Sequence, residues 1–147
     1  FAVATQREVD AVDRALAGGG DASARLERAL RLFARRALAA PRLAWALIAE
    51  PVEPEVDAER LRYRAAYAAL YQRVLDQGVA AGELPPQSTA LAAAALVGAI
   101  AEALVGPLAA PLNDAGLADH LAAFCLRAVG VAGAASVAGS GDTESAP

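Results

Sequence analysis

The sequence predicts an all-α fold, and its composition and hydrophobic spacing carry that prediction. Alanine and leucine contribute 42 and 19 of the 147 residues, against 2 isoleucines, 3 threonines and 12 valines. Because alanine and leucine favour helices and β-branched residues favour strands, an all-β fold is nearly excluded. Apolar residues recur at intervals of three and four between breaks of glycine and proline. We therefore expect about six helices in one orthogonal or antiparallel bundle.

The first two predicted helices are amphipathic. The first covers residues 1–17 and ends at a glycine triplet. Its apolar face consists of Val9, Val12 and Leu16. The second covers residues 22–40, with Asp21 placed as an N-cap. Its apolar stripe consists of Leu26, Leu30, Phe33 and Ala37.

Prolines bound the third and fourth predicted helices. Pro41 suits the first turn of a short helix over residues 42–50, which contains the only tryptophan, Trp45. The fourth helix, residues 54–81, is the longest, at about 40 Å. One side of it carries Tyr63, Tyr67, Leu70 and Val74. Gly82 is expected at its C′ position, with Leu84 as the hydrophobic partner.

The last two predicted helices are strongly apolar. Residues 89–106 carry Glu102 as their one charged side chain, so neighbours must cover the helix on every side. Residues 113–131, capped by Asn113 and Asp114, show two apolar flanks. One small bundle cannot hide this much apolar surface, which indicates self-association through these helices. Residues 132–147 have no periodicity and are expected to be a disordered tail.

Charge and cysteine content exclude several function classes. A net charge of −4 and a pI near 5.0 argue against a module that coats nucleic acid or binds anionic membranes. The best membrane candidate, residues 90–105, is too short and too rich in alanine to span a bilayer. One cysteine and no recognisable signal peptide favour a cytoplasmic location.

The residue inventory offers no catalytic or metal-binding constellation. Cys125 and His120 lie five residues apart, about 140° around a helix, which is unsuitable for a nucleophile and its base. One histidine and one cysteine make no zinc site of the usual kind, and the glycine triplet lacks the lysine of a P-loop. We expect no enzyme activity, no metal and no cofactor.

Several polar and aromatic residues permit two interpretations. Glu102 either reaches an arginine, a helix end or the wet edge of the bundle, or anchors a ligand in a cavity. Trp45, Tyr63, Tyr67 and Tyr71 are each compatible with ordinary core. Together, however, they place four of the seven aromatic residues on two consecutive helices, which is typical of a small-molecule pocket.

The arginines also leave alternatives open. Arg60 and Arg64 border the tyrosines and either hold a ligand carboxylate or form surface ion pairs; we favour surface pairing with Glu53, Glu55 or Glu59. A second arginine cluster on the second helix is interpreted first as a solvated face and second as a docking face for another domain: Arg28, Arg31 and Arg35.

The order of these elements resembles the tetracycline-repressor (TetR) family of bacterial transcriptional regulators. A helix entered at Phe1, a capped second helix and a short tryptophan-bearing third helix precede a long helix that ends in Gly78-Val79-Ala80-Ala81-Gly82-Glu83-Leu84-Pro85. Residues 73–107, RVLDQGVAAGELPPQSTALAAAALVGAIAEALVGP, are the most specific part. In that family a long helix closes with a G-x-x-x-G-E/D-L/I-like turn, and a small-residue helix then enters the dimer interface.

The resemblance covers residues 1–131 and implies the effector-binding and dimerisation domain of a regulator, most often a repressor. It implies that residues 1–17 are the connecting helix from a helix-turn-helix domain that this chain lacks, so operator DNA binds only through that domain. A small hydrophobic or amphipathic effector would bind between the first and fourth helices and change the spacing of the DNA-binding heads. No membrane partner is expected.

The resemblance also places the sites. The expected cavity residues are Phe33, Trp45, Tyr63, Tyr67, Tyr71 and Glu102. The expected homodimer interface joins the last two helices of two chains in a four-helix arrangement. Its residues are Ala95, Leu96, Gly98, Ala99, Ala103, Gly106, Leu121, Phe124 and Ala128.

A structural or interaction bundle without a ligand is the alternative function. A ligand domain should contain an internal cavity near Trp45 and Glu102, whereas a purely structural bundle should be filled there.

Overall fold

A computed structural model describes residues 1–110 and 115–132, and within these ranges it contains six α-helices and no strands. The helices are α1 (Ala2–Ala17), α2 (Ala22–Ala39), α3 (Pro41–Ile48), α4 (Pro54–Ala80), α5 (Thr89–Ala109) and α6 (Leu117–Ala128). The expected all-α bundle of six helices is confirmed. The proposed caps Asn113 and Asp114, and residues 133–147 of the expected tail, lie outside the described residues.

Helix α2 is the centre of the bundle and contacts all five other helices. Its Leu26, Leu30 and Ala34 are at most 1% exposed and lie in the core between the surrounding helices. Asp21 caps α2 as expected, because its carboxylate accepts a hydrogen bond of 2.8 Å from the backbone N–H of Ala24.

Helices α5 and α6 differ most from the sequence expectations. Helix α5 continues past Gly106, through Pro107, to Ala109. Proline removes one backbone donor but keeps a helical φ. Pro107 lies in the last turn of α5, and the next residue, Leu108, is buried in the core. Helix α6 is shorter than expected, with Gly116 as its N-cap and Val129 as its C-cap.

At 21 residues, α5 is long and apolar enough to cross a membrane by length and composition, unlike the 16-residue segment expected from the sequence. One face lies in the core of the bundle: Ala93, Leu96, Ile100, Leu104 and Leu108. The opposite face consists mostly of small residues interrupted by exposed Glu102. This pattern indicates that one face of α5 packs within its own bundle. The small residues on the other face would allow another surface to approach it closely.

The turn after α4 explains the glycine-rich sequence that marks the resemblance. The N–H of Glu83 donates to the carbonyl of Gly78 at 2.9 Å, and the N–H of Gly82 donates to the carbonyl of Val79 at 3.1 Å. This is the Schellman arrangement, and it requires the positive φ of 73° that Gly82 adopts. Leu84 is 4% exposed and fills the core beneath the turn, as expected.

The other two residues of that motif join α4 to the start of α2. Gly78 has no room for a side chain, because a Cβ there would lie 2.7 Å from the Cβ of Ala22. The carboxylate of Glu83 accepts a hydrogen bond of 2.6 Å from the backbone N–H of Ala22. A negative charge at a helix N-terminus is favourable, so Glu83 adds to the cap that Asp21 supplies.

The second arginine cluster contacts both flanking helices, and Arg35 remains solvated as expected. Arg28 donates from Nε to the carbonyl of Ala15 at 2.8 Å, at the C-terminal end of α1. Arg31 and Arg35 lie 3.5 Å and 3.4 Å from the carboxylate of Asp119 on α6. These side chains therefore attach the flanking helices to α2.

Candidate functional site

A cavity of about 360 Å³ lies among α1, α2, α3, α4 and α5. Its volume falls in the range of ligand pockets, roughly 300–1,000 Å³. Most of its wall is apolar, and its polar side chains are few. Those polar residues are Thr5, Glu8, Arg36, Arg60, Tyr63, Arg64, Tyr67 and Tyr71.

Helix α4 supplies the longest wall of the cavity. Its contribution is one stripe at spacings of three and four, so every member faces the same way. The stripe consists of Arg60, Tyr63, Arg64, Tyr67 and Tyr71. Tyr71, at the far end, is 1% exposed, whereas Arg64 is exposed at the near end.

Aromatic contacts fix the middle and the mouth of the cavity. The rings of Phe33 and Tyr67 meet edge to face, with centroids 5.5 Å apart and planes at 85°. The rings of Phe1 and Tyr63 are 6.4 Å apart and tilted at 60°. Such pairs are favourable beyond the area that they bury, and they hold both tyrosines in defined positions.

The empty volume has a simple origin in side-chain size. Alanines occupy the wall where α2, α3 and α5 approach one another, at Ala37, Ala44 and Ala101. Larger residues at these positions would fill the space, as leucines do elsewhere in this core. Alanines therefore leave the cavity open at these positions, in addition to allowing helices to pack closely elsewhere.

Four of the six residues predicted for the cavity line it: Phe33, Tyr63, Tyr67 and Tyr71. The other two are placed elsewhere. Trp45 is half-buried and packs against the core, while its neighbours Ala44 and Leu47 face the cavity. Because successive helical residues diverge by about 100°, Trp45 points to a different side of α3.

Glu102 is exposed on the outer face of α5, although its neighbour Ala101 lines the cavity. Within the single chain its carboxylate keeps its hydration there and has no need of the buried partner considered in the sequence analysis. The structure therefore places Glu102 at the solvated edge of the chain rather than beside a bound ligand.

An ion pair crosses the cavity wall from α1 to α2. The guanidinium of Arg36 donates from two nitrogens to the two carboxylate oxygens of Glu8, both at 2.7 Å. The hydrogen bond to Glu8 is the main reason that the pKa of Arg36 is raised, with the negative charge of Glu8 as a second cause. Both Glu8 oxygens are thus engaged by Arg36.

Arg60 and Arg64 do not form the surface pairs favoured from the sequence. Glu59 instead pairs with Arg62, at 2.6 Å. One terminal nitrogen of Arg60 donates to the carbonyl of Ala46 at 2.7 Å, and its guanidinium lies 5.9 Å from the centre of the Phe1 ring. Helix α4 instead turns Arg60 and Arg64 towards the cavity, as in the other interpretation of the sequence, and Arg62 away from it.

The two inner tyrosines keep their phenolic protons. Burial is the main cause that raises the pKa of Tyr67, and the charge of nearby Glu8 adds to it. Burial also raises the pKa of Tyr71. Both residues line the cavity, so their protonated hydroxyls can donate to a ligand.

Other cavity residues carried no sequence signal. Glu8 and Arg36 are 28 positions apart, and nothing in either local pattern indicates that they meet. Val97, Ile100 and Ala101 belong to a helix that is apolar almost all round, so periodicity does not distinguish the cavity side from the core side. Only the packing of five helices brings these residues together.

The predicted dimer residues differ in their exposure. Leu96 and Leu121 are 3% and 7% exposed, because they fill this chain's own core rather than a surface. Ala99 is half-buried. The remaining six are exposed on the outer faces of α5 and α6: Ala95, Gly98, Ala103, Gly106, Phe124 and Ala128. We call these six the outer apolar surface; Phe124, at 54% exposed, is its largest side chain.

The groups considered for catalysis are poorly placed for it. Cys125 is fully buried, and burial raises its thiol pKa to about 11, so the thiolate is scarce near neutral pH. His120 is exposed on the same helix. Among the described residues, no group of three or more histidine, cysteine, aspartate or glutamate side chains is arranged to hold a metal ion.

Comparison with known proteins identifies the fold family. Neither the curated proteins nor the solved structures contain a match to this chain. A family model described as "Tetracyclin repressor-like, C-terminal domain" matches residues 19–104, which include α2, α3, α4 and most of α5. Proteins with this domain are soluble regulators rather than enzymes, and the domain typically binds ligands and dimerises. The chain belongs to the family of tetracycline repressor-like C-terminal domains.

Proposed function

We propose that residues 1–131 are the effector-binding and dimerisation domain of a cytoplasmic transcriptional repressor. The observation that carries this proposal is the 360 Å³ cavity, whose wall includes the first turns of α1. A small molecule in such a cavity is in direct contact with the helix that would lead to an upstream DNA-binding domain.

The cavity favours ligand binding over a purely structural bundle. A concave, largely apolar space with a limited set of polar groups is the usual form of a small-molecule site. Tyr67 and Tyr71 also line the cavity, and their phenol groups can donate hydrogen bonds to a ligand there. A ligand with an apolar body and a polar group suits both features.

The contacts of α1 suggest how binding is transmitted. Thr5 and Glu8 of α1 line the cavity, and Tyr63 on α4 donates its hydroxyl to the carbonyl of Ala2 at 3.0 Å. A ligand that fits better with α1 in one position shifts the population of the helix towards that position. In a dimer, this shift changes the separation of two DNA-binding heads joined through residues 1–17.

We propose a second copy of this chain as the partner at the outer apolar surface. Gly98 and Gly106 leave open space outside their backbones, since a Cβ at either would meet no atom within 4 Å. Small residues along one face allow two helices to approach closely, and Phe124 supplies apolar area beside them. A two-fold axis would place the same surface on both chains.

A neutral fluorescent probe tests whether the cavity binds small molecules. We expect N-phenyl-1-naphthylamine to brighten on binding to the 147-residue chain. The variant Ala101→Phe fills the cavity from α5 and should abolish that signal, whereas Ala65→Phe, on the exposed side of α4, should keep it. Absence of binding to the wild-type chain, or equal binding to folded Ala101→Phe, would refute ligand binding in this cavity.

A further inference from the structure

The polar groups of the cavity divide into those with partners and those without. Both oxygens of Glu8 accept from Arg36. Thr5 and Tyr63 donate their hydroxyls to the backbone carbonyls of Phe1 and Ala2, at 2.9 Å and 3.0 Å. The one carboxylate in the cavity lining is therefore already engaged.

The groups without partners are donors. The Nε of Arg60 is buried and makes no hydrogen bond. Arg64 forms no ion pair with any residue in the two described ranges. Arg60 uses one terminal nitrogen on the carbonyl of Ala46, so both guanidinium groups keep terminal N–H donors that the acceptor of a ligand in the cavity can meet.

The position of these arginines makes the two ends of the cavity chemically different. Arg60 and Arg64 are one turn apart near the N-terminal end of α4, and Tyr71 is buried 11 residues after Arg60. At 1.5 Å per residue this separates a cationic end from a buried end by about 16 Å. Between them the wall is apolar and aromatic, with Phe33, Val97 and Ile100 among its members.

We infer that the effector is an amphipathic monocarboxylate, an inference that rests on the proposed function of the cavity. Its carboxylate accepts hydrogen bonds from Arg60 and Arg64, and its apolar body extends along Tyr67 towards Tyr71. The two arginines offer planar donor groups that match the two oxygens of a carboxylate. The protonated phenols add neutral donors along the wall without adding charge.

Charge and size argue against other ligand classes. A cationic effector would lie beside Arg60 and Arg64 without a free carboxylate to balance it, because Arg36 engages Glu8. A neutral apolar effector would cover the guanidinium groups of Arg60 and Arg64 without supplying an acceptor for their N–H donors. A large polyanion does not suit an apolar cavity of about 360 Å³ with two uncompensated cations.

Three probes with the same chain separate these classes: decanoate, 1-decanol and decylamine. Each is titrated below its micellar concentration against the 147-residue chain loaded with N-phenyl-1-naphthylamine, and displacement of the dye is measured at pH 7.5. We expect the affinity of decanoate, obtained from displacement of the dye, to be about tenfold higher than that of 1-decanol. One or two charge-assisted hydrogen bonds account for a difference of this size. Decylamine should be the weakest.

Arginine variants assign that preference to the two side chains. Arg60→Gln combined with Arg64→Gln should weaken decanoate about tenfold and leave 1-decanol unchanged. Arg62→Gln is the matched control, since Arg62 lies between them in sequence but pairs with Glu59 outside the cavity. Thermal unfolding and dye affinity of each variant establish that the bundle and the cavity persist.

The outcomes distinguish this inference from the proposed function. The carboxylate inference is overturned if the dye binds but 1-decanol or decylamine competes as well as decanoate. It is also overturned if the double arginine variant retains the preference for decanoate. In both cases ligand binding in the cavity stands. If the dye does not bind the wild-type cavity, both fail. A preference for decanoate that disappears in the double variant and survives in Arg62→Gln supports the inference.

Discussion

Glu8 on α1 and Arg36 on α2 form a two-point ion pair in the cavity wall, with both nitrogen–oxygen distances at 2.7 Å. The two-point geometry is the strong form of such a pair. The side chains remain 20% and 44% exposed, so solvent screening limits the net contribution to stability to about 1 kcal/mol. The pair joins the mobile element of the proposed mechanism to the centre of the bundle.

A double-mutant cycle tests this pair. We expect Glu8→Gln and Arg36→Gln each to lower the free energy of unfolding, with a coupling of about 1 kcal/mol between them in urea unfolding. High salt should reduce the coupling. A coupling indistinguishable from zero at low salt would mean that the two side chains do not interact in solution.

Gly78 and Gly98 should respond in opposite ways to the same substitution. Gly78→Ala places a Cβ 2.7 Å from Ala22 and should destabilise the fold by about 1–3 kcal/mol through overpacking. Gly98→Ala meets nothing within its own chain, so helix propensity predicts a gain of up to about 1 kcal/mol in a monomeric state. Urea unfolding of both variants measures the difference. Similar effects at both positions would contradict the close approach of α2 and α4.

Alkaline pH should destabilise the folded chain. Burial raises the pKa of Cys125 to about 11, and it also raises the pKa values of Tyr67 and Tyr71. In the unfolded chain these groups lose their protons near their ordinary values of 9.0 and 10.0. The folded state then holds more protons, so stability is full below about pH 9 and falls as the pH rises above it.

Urea unfolding at pH 7, 9 and 10.5 measures that loss. We expect a decrease on the order of 1 kcal/mol or more by pH 10.5. Tyr71→Phe removes one of the titrating groups and should flatten the decrease. A free energy of unfolding that stays constant or rises between pH 8 and pH 10.5 would show that these groups are not held neutral.

The outer apolar surface should control association. Phe124→Ser removes the largest exposed side chain of that surface and should convert a dimer into a monomer of 14.9 kDa without unfolding it. Leu61→Ser is the control, because Leu61 is 63% exposed on α4 and lies outside the surface. Light scattering at micromolar concentration measures the mass. A monomeric wild-type chain, or a Phe124→Ser variant that still dimerises, would contradict this interface.

Local patterns predicted most of the fold. The Asp21 cap, the Gly82 turn and the burial of Leu84 each follow from short-range rules that tertiary packing did not override. The end of α5 was predicted too early, because Pro107 was treated as a break although the buried Leu108 carries the helix one turn further. The requirement for Gly78 and Glu83 also arises from tertiary packing, since both residues contact the start of α2.

The site was predictable only where it follows one helix. The tyrosine spacing on α4 identified Tyr63, Tyr67 and Tyr71 as one wall of the cavity. Helix α5 is apolar almost all round, so its hydrophobic pattern does not show which face turns inward. Glu102 was therefore expected in the cavity, and its neighbour Ala101 was overlooked. The sequence left two roles open for Arg60, and the structure shows that it lines the cavity while Glu59, one of its expected partners, pairs with Arg62.

The central claim is that a molecule in the cavity moves α1. The most direct measurement is the distance between spin labels at Val3→Cys, a position 70% exposed on α1, in dimers that also carry Cys125→Ala. We predict that decanoate, at a concentration that fully displaces N-phenyl-1-naphthylamine, changes the distance between the two labels, and that the same addition leaves Ala101→Phe dimers unchanged. An identical label distance with and without bound decanoate in the unfilled cavity would contradict the account.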